Sequence, residues 1–338
     1  MKGNVSASQI ARDFASPSYS KALFQFGNTL MLYVTSVYLM FALLPVSYGY
    51  VLATSLLATV AHVRLFMIGH DCAHRSYLPR KGWQNKALGN FIGVLTNTPL
   101  DYWGSQHLVH HQTVGNLDKR GYGDVGTLTT EEFKAMGFWS RVWYRINRNP
   151  HILMFILAPI HFLILQRFPF EQKNPPRKVW LSIMGTNLGM MIYYGTLVSF
   201  FGLESVLLVF APVLLMSSTI AVWLFYVQHQ FDEAYWEREG TWDYKNATLK
   251  GSSFYNLPRW LHWATGNIGY HHLHHLNPKI PNYKLADCHY SDPMLQEGKS
   301  INFWESFRLA KLSLWDESAR RLISFAEFDR TSETTRQP

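Results

Sequence analysis

Long apolar runs alternate with short polar connections along the first two thirds of the chain. Residues 29–44 and 50–67 are two apolar runs separated by a turn-like sequence, and residues 179–201 and 205–226 are two more, joined without a Lys or Arg. With its flanks, each run is long enough for a helix to cross a hydrocarbon layer of about 30 Å. The pattern predicts an all-α membrane protein with four transmembrane helices arranged as two hairpins.

Two other apolar runs are less suited to crossing a membrane. Residues 87–100 are too few to span the hydrocarbon layer. Residues 152–168 carry Pro159 and His161 near their centre, where a lipid-facing helix would carry apolar side chains. We predict that these runs form one or two interfacial or re-entrant helices.

The composition supports a membrane protein but also indicates that a large part of the chain lies outside the membrane. Only 16% of the 338 residues are charged, against about 25% in an ordinary soluble domain. The mean hydropathy of −0.08 nevertheless indicates that much of the chain lies outside lipid. The formal net charge of +8 is carried by short loops beside apolar runs, as the positive-inside rule expects, so we predict no nucleic-acid partner.

Candidate chemistry is concentrated in three five-residue windows rich in histidine. They read HDCAH, HLVHH and HHLHH, at residues 70–74, 107–111 and 271–275. Spacings of three and four residues place side chains on one face of a helix. Neutral imidazole is a strong ligand for borderline transition metals such as iron and zinc. The predicted ligands are His70, His74, His107, His110, His111, His271, His274 and His275. Eight ligands are twice what a tetrahedral site needs, so two metals are predicted.

The remaining histidines lie outside the three windows or off their common face. His229 follows the fourth apolar run at the same predicted surface and is included as a ninth metal ligand. None of the others is predicted to be a ligand. His62, inside an apolar run, either has a functional role or hydrogen-bonds to a neighbouring helix. His272 is expected to pack or to hydrogen-bond near the site, His262 is a weaker candidate, and the structural histidines are His151, His161 and His289. The sequence lacks a Glu-x-x-His pair, a His-Glu-x-x-His motif and a Cys-x-x-Cys motif, which argues against carboxylate-bridged di-iron, zincin and structural-zinc sites. Acceptors for the second ring nitrogens are predicted among Asp71, Asp118, Asp124 and Asn267.

The number of membrane crossings between the windows constrains the topology. All three windows can share one site only if an even number of crossings separates each from the next. If residues 152–168 crossed, the connection that carries Arg167, Arg177 and Lys178 would lie outside, against the positive-inside bias. The prediction is therefore that both termini and all three windows are cytoplasmic, and that residues 228–338 form a cytoplasmic helical cap over a di-metal site.

The order and context of the windows resemble the membrane fatty acid desaturase family. The resemblance covers residues 50–290 and is strongest in GHDCAHRSY (69–77), GNLDKRGYGDVGTLTTEEF (115–133), FYVQHQF (225–231) and TGNIGYHHLHHLNPKIPNY (265–283). These segments are similar to acyl-lipid omega-6 (delta-12 type) desaturases and bacterial delta-5 relatives. A fused cytochrome b5-like His-Pro-Gly-Gly motif, present in some members, is missing.

The resemblance implies a specific chemistry. It implies two non-haem iron ions ligated almost wholly by the histidines named above, with O2 as co-substrate and a lipid-linked acyl chain as substrate. A hydroxylase or ketolase using the same metals is the alternative enzyme, because ligand motifs do not separate the outcomes. Outside that chemistry, histidine windows beside apolar runs are also compatible with a membrane metal transporter or a zinc-dependent lipid hydrolase.

Partners and the substrate channel are predicted from the flanking residues. An external electron donor, a ferredoxin or cytochrome b5, is expected to be acidic and to dock on basic residues, which anionic lipid could also contact. The candidate basic residues are Lys119, Arg120, Arg141, Arg145 and Arg148. An apolar channel is expected between residues 50–67 and 179–226, with Trp223 and Phe225 as candidates for limiting its depth.

The sequence predicts a single domain over residues 1–338. Within it, residues 1–27 form a polar amino-terminal segment, residues 28–290 the catalytic core and residues 291–338 a carboxy-terminal cytoplasmic segment. No signal-peptide or transit pattern is visible. This favours a multi-pass protein of a bacterial or cyanobacterial inner membrane, with its site facing the cytoplasm.

Overall fold

Two long helical hairpins form the apolar half of the molecule in this computed structural model, which describes residues 6–334 except 80, 81, 171 and 173. The first hairpin is α2 (Tyr19–Leu43) and α3 (Tyr48–Ala73), and the second is α10 (Arg177–Phe201) and α11 (Leu203–Val227). Ser47 begins α3 by accepting a hydrogen bond from the Gly49 backbone N–H at 3.2 Å. Gly202 connects α10 to α11 with φ +79°, a conformation that favours glycine.

Shorter helices and strands complete the chain. The remaining helices are α1 (Ala7–Phe14), α4 (Gly82–Leu95), α5 (Leu100–Thr113), α6 (Thr130–Ala135), α7 (Phe138–Asn147), α8 (Pro150–Ile152), α9 (Ala158–Leu163), α12 (Tyr244–Lys250), α13 (Arg259–Ala264), α14 (His271–Leu276), α15 (Asn282–His289), α16 (Phe303–Leu309) and α17 (Phe325–Thr334). The strands are β1 (Leu128–Thr129), β2 (Phe254–Asn256), β3 (Ser300–Asn302), β4 (Leu312–Asp316) and β5 (Arg321–Ser324).

The two hairpins pack side by side with their turns at the same end. Phe41 near the end of α2 stacks on Phe201 at the end of α10, with ring centroids 4.1 Å apart. The Tyr48 hydroxyl at the start of α3 donates to the Leu208 carbonyl near the start of α11, at 3.3 Å. Both contacts lie beside the hairpin turns, so the opposite ends of α3 and α11 meet where the histidine windows begin.

A re-entrant hairpin built from α4 and α5 replaces the predicted short helix at residues 87–100. The chain reverses tightly after α4, and a side chain at Gly93 would clash with the Thr98 carbonyl, its Cβ lying 2.4 Å from that oxygen. At the tip, the Leu95 carbonyl lies 3.2 Å from His62 Nε2, about halfway along α3. The hairpin therefore enters the bundle only to mid-depth and returns to carry the second histidine window.

The segment Pro150–Arg167 is a third apolar helical element, irregular along its length. Between α8 and α9 it forms a π-helical turn at Leu153–Leu157. The π turn directly precedes Pro159, whose nitrogen has no hydrogen to donate within the helix. The segment ends beside the tip of the α4–α5 hairpin, where the Arg167 guanidinium donates to the Asn97 carbonyl and, at 3.1 Å, to Asn187 Oδ1.

Composition and contacts rank the membrane-span candidates differently. By length and hydropathy, four described helical elements qualify: Tyr19–Leu43, Tyr48–Ala73, Pro150–Arg167 and Leu203–Val227. The helix α10 is as long as α2 and α11, but polar residues such as Asn187, Tyr193 and Tyr194 interrupt it. By contacts, α10 runs the full length of the bundle, whereas Arg167 reaches only the middle of α10. The four long helices and two hairpins match the predicted architecture.

The other half of the molecule is a polar cap that includes strands as well as the predicted helices. β1 pairs in parallel with β4, which pairs antiparallel with β5, and β2 pairs in parallel with β3. The strands have two to five residues and join positions far apart in sequence, so no local periodicity marked them. Through β3 and β4, the predicted carboxy-terminal segment 291–338 pairs with strands β2 and β1.

Candidate metal centre

All nine predicted metal ligands converge at the boundary between the bundle and the cap. They form two groups of buried histidines, in each of which the ring nitrogens lie within 4.8 Å of one another. The first group, called group A here, is His70, His74, His107, His111 and His274, and the second, called group B, is His110, His229, His271 and His275. All three windows contribute histidines to group A, and the second and third windows also contribute histidines to group B. The second and third windows therefore each serve both groups.

Local structure explains how each window presents its side chains. The helix α3 continues past the apolar run and carries His70 and His74 one turn apart at its end. α5 carries the second window in its last two turns. The third window forms the short helix α14, which follows a tight turn with positive φ at Gly266 and Asn267. His229 lies just beyond the end of α11.

Distances within the groups fit shared cations. In group A, His107 Nε2 lies 2.9 Å from His70 Nε2 and 3.1 Å from His111 Nε2. In group B, His271 Nε2 lies 2.9 Å from His229 Nε2 and 3.2 Å from His275 Nε2. Two nitrogens bound at about 2.1 Å to one ion at right angles are about 3.0 Å apart. The observed separations have that size.

The donor chemistry also fits a metal. Within the described part of the chain, His74 Nε2 is buried without a hydrogen-bond partner, although it points into group A. A buried nitrogen without a hydrogen-bond partner lowers the stability of the folded protein. Ring nitrogens whose lone pairs point at one another lower it further, because the lone pairs repel. A transition-metal ion in each group would satisfy both, because imidazole nitrogen is a preferred ligand of iron and zinc.

Electrostatics keeps these imidazoles in the form that binds metals. Burial lowers the pKa of His107 well below its ordinary value, and repulsion from His111 and other neighbouring rings lowers it further. The same causes, burial first, lower the pKa values of His74, His110, His111, His271, His274 and His275. Burial lowers the pKa of His229 to about 4. Neutral rings at physiological pH offer free lone pairs.

Asp71 binds the ring nitrogen of His70 that faces away from group A. The carboxylate accepts a hydrogen bond from His70 Nδ1 at 3.1 Å, which leaves Nε2 directed at group A. Asn282 donates to the same carboxylate from its backbone at 2.6 Å and from its side chain at 2.8 Å. In turn, the Asn267 side chain donates to the Asn282 carbonyl at 3.0 Å. A buried network thus joins the first window to the turn that precedes the third.

The other predicted acceptors have different roles. Asp118 accepts from Arg238 Nη1 at 2.9 Å, and Asp124 accepts from the Gly121 N–H at 2.7 Å. A backbone carbonyl that the sequence did not reveal, that of Gly251, lies 2.8 Å from His229 Nδ1 and orients that ring. Carbonyl acceptors leave no signal in the side-chain sequence.

Removing the Asp71 carboxylate tests whether it supports the centre. In Asp71→Ala we expect the affinity of the site for a transition-metal ion to fall about 10- to 100-fold, the usual effect of removing a partner of a metal ligand. The matched control is Asp118→Ala, which removes a carboxylate that binds Arg238. Iron titration of the purified metal-free proteins measures both. Equal affinity in the two variants would contradict a role for Asp71 at the metal.

The histidines not predicted to be ligands lie outside both groups. His272 Nε2 is 3.0 Å from the Leu295 carbonyl, and His289 packs between the Phe254 and His272 rings. His262 stacks on Tyr270. His62 and His161 contact Leu95 and Gln166, while His151 is exposed beside Phe155.

An apolar cavity of about 350 Å³ opens directly beneath the histidines. Side chains from both groups reach it: His70 and His107 of group A, and His271 of group B. Its walls are mainly apolar and come from α3, α5, α11 and the segment Pro150–Arg167. A flexible apolar molecule in this cavity would pass close to both candidate metal positions.

The predicted channel walls are partly right. Residues 50–67 contribute Val63, Phe66 and Met67, and α11 contributes Phe225, as expected. In the described part of the chain, α10 supplies none of the lining residues, and Trp223 instead lies 3.4 Å from the Tyr255 hydroxyl, to which it donates. The wall that the sequence missed is the segment Pro150–Arg167, which supplies Leu153, Leu157, Ala158, Ile160, His161, Phe162 and Leu165.

Most of the basic residues proposed for donor docking are already paired. Lys119, Arg120 and Arg145 form ion pairs with Glu239, Glu132 and Asp329, respectively. Arg148 is buried, donating to the Gln230 side chain and to backbone carbonyls. Of the five, Arg141 makes no ion pair with the described residues, so most of the positive charge at these positions is locally balanced.

Fold and site together define a helical protein with long apolar helices and two histidine groups able to bind metal ions above an apolar cavity. The family model described as fatty acid desaturase matches residues 12–304. The chain belongs to the fatty acid desaturase family, as its resemblance predicted. It is thus an oxidoreductase acting on fatty acyl chains, and its four apolar helices fit a membrane protein.

Similar proteins come from bacteria and cyanobacteria. A protein named fatty acid desaturase from Bacillus subtilis is 43% identical over 313 residues, which are 92% of this chain and 88% of that protein. An sn-1 oleoyl-lipid 12-desaturase from Synechocystis sp. is 28% identical over 81% of this chain and 75% of its own length. An sn-1 acyl-lipid omega-3 desaturase (ferredoxin) from Nostoc sp. is 28% identical over 65% of this chain and 61% of its own.

Proposed function

We propose that the protein introduces a cis double bond into a lipid-linked fatty acyl chain at a di-iron centre. One hydrogen atom is removed from each of two adjacent methylene groups. Together with two electrons and two protons supplied from outside, these two hydrogen atoms reduce one O2 to two water molecules. The observation that carries the proposal is the pair of buried all-histidine groups facing one apolar cavity, in a member of the desaturase family.

Groups A and B would each hold one iron ion, through the nine histidines named above. Bound iron supplies the capacity to activate O2 for oxidation of an unactivated methylene, which no side chain can do alone. The chain's own residues place the substrate: His70 and His107 of group A and His271 of group B line the same cavity. Phe66, Trp103 and Phe225 surround it with aromatic surface and exclude water.

A lipid-linked substrate is favoured by the cavity and by the relatives. Ile160 and Leu165 line the cavity and are also exposed on the outer surface, at 36% and 41%. An acyl chain could therefore enter sideways without leaving an apolar environment. The Synechocystis and Nostoc relatives are named for acyl-lipid substrates. For the position of the double bond we propose delta-12/omega-6 or a related site.

The proposed topology has four crossings, by α2, α3, α10 and α11, in a bacterial inner membrane. Contacts favour α10 over the segment Pro150–Arg167 as the fourth, because that segment ends at mid-depth beside Asn97. Both described ends of the chain, the three windows and the cap then lie on the cytoplasmic side. A cytoplasmic reductant is required, and the name of the Nostoc relative supports a ferredoxin, with cytochrome b5 as the alternative.

The fatty acid profile of an expression host tests the activity. A host lacking polyunsaturated fatty acids would express this chain, or its His110→Ala variant, together with a ferredoxin system. We expect a new double bond with the parent chain and none with the variant, and derivatisation with mass spectrometry locates its position. A hydroxylated product would favour the hydroxylase alternative, and an unchanged profile from an iron-loaded protein would contradict the proposal.

A further inference from the structure

On one face of the protein, two cationic side chains without an ion pair lie next to a candidate metal ligand. Arg75 is exposed and directly follows His74. Lys279 is also exposed, and its Nζ donates to the His74 carbonyl at 2.5 Å. In the described part of the chain, neither cation forms an ion pair with a carboxylate.

This face also contains one of the two most exposed of the nine histidines. Among the nine histidines, His74 and His229 are the most exposed, at 9% and 8%. Near His229, the acidic residues Asp232 and Glu237 pair with Arg308 and Arg320, and the exposed Lys250 forms no ion pair with described residues. At His74, Arg75 and Lys279 are two exposed cations close to each other, and neither pairs with a described carboxylate. Such a pair of charges attracts an acidic partner over a long range.

An apolar side chain accompanies the two cations. Leu108 lies on α5 between His107 and His111 of the second window, and 52% of its surface is exposed. One turn earlier on the same helix face, Gly104 lies against the Ala73 side chain, next to His74. Leu108 therefore lies on the face of α5 that packs against the end of α3, just before His74 and Arg75. An exposed leucine on this side of the protein suits a transient complex, in which charge steers the encounter and a small apolar contact stabilises it.

We propose that a small acidic one-electron carrier protein docks on the face formed by Arg75, Lys279 and Leu108 and delivers its electrons at His74. This inference rests on the proposed function. Each turnover would oxidise two reduced carrier molecules by one electron each. These are the two electrons that O2 reduction needs beyond those taken from the acyl chain, and the accompanying two protons come from solvent.

A charge reversal with a matched control tests the docking face. Arg75→Glu and Lys245→Glu each change the net charge by two; Lys245 is exposed on α12 and forms no ion pair with described residues. Both variants and the parent chain, loaded with iron, are placed in nanodiscs of neutral phosphatidylcholine and supplied with reduced plant-type ferredoxin. We expect the ferredoxin KM of Arg75→Glu to rise about tenfold, and that of Lys245→Glu to change little. The iron content should be unchanged in both variants.

A small uncharged reductant separates docking from chemistry. With it, Arg75→Glu should form product at the parental rate, because no protein has to dock. If both variants show the same ferredoxin KM as the parent, or the same increase, the proposed face is wrong. If Arg75→Glu loses activity only in nanodiscs that contain anionic lipid, the face binds headgroups instead. If the parent chain forms no unsaturated product with either reductant, the proposed function itself fails.

Discussion

We expect His271→Ala to abolish product formation and to lose the metal proposed for group B, whereas His272→Ala should keep both. The two residues are neighbours on α14 and are equally buried, at 2% and 3%. His271 Nε2 faces His229 Nε2 and His275 Nε2, while His272 Nε2 faces the Leu295 carbonyl. The variants therefore disturb the same helix to a similar extent and differ in whether a candidate ligand is lost.

Metal analysis and product analysis on the same preparations make the comparison. The parent chain should bind two irons, one for each histidine group. His272→Ala removes the hydrogen bond to the Leu295 carbonyl and should cost about 0.5–1.5 kcal/mol of stability, visible as a lower unfolding temperature, while keeping iron and activity. Full iron content and activity in His271→Ala would remove that residue from the ligand set. Loss of iron in both variants would mean that α14 unfolds whenever either residue is changed.

The histidine placement was predictable because it depends on local periodicity. The i, i+3, i+4 spacing in residues 107–111 and 271–275 places imidazoles on one helix face regardless of what surrounds the helix. His229 was harder, since it has no repeat, and its position followed only from the end of an apolar run. The division into two groups could not be predicted, because His110 and His111 are adjacent in sequence and join different groups.

Features that depend on long-range contacts were missed or misplaced. The sequence predicted that residues 152–168 do not cross the membrane, although the hydropathy of Pro150–Arg167 is that of a membrane span. The depth that the segment reaches follows only from the contact of Arg167 with the α4–α5 tip. Where the segment lies against the bundle, its apolar residues form part of the cavity wall. The basic residues Lys119, Arg120 and Arg145 looked available in the sequence, but their partners Glu239, Glu132 and Asp329 are 12 to 184 positions away.

Filling the cavity without touching a metal ligand should stop catalysis as completely as losing a ligand. Ala221 lies on α11 and lines the apolar cavity as well as a second pocket of about 20 Å³. In Ala221→Trp, the indole would occupy much of a cavity of only about 350 Å³. An acyl chain could then no longer pass the histidines in a productive position, and misplacement alone can cost about 100-fold in rate.

The control for this variant is Leu215→Trp, on the same helix. Leu215 is 47% exposed and lines neither of these two pockets, so its replacement adds the same indole to the outer surface of the bundle. We expect Ala221→Trp to bind two irons and form at least about 100-fold less product, and Leu215→Trp to match the parent chain. Normal product formation by Ala221→Trp would place the acyl chain elsewhere. Loss of iron from that variant would instead show that the cavity wall and the histidine groups share one packing unit, because overpacking shifts neighbouring backbone.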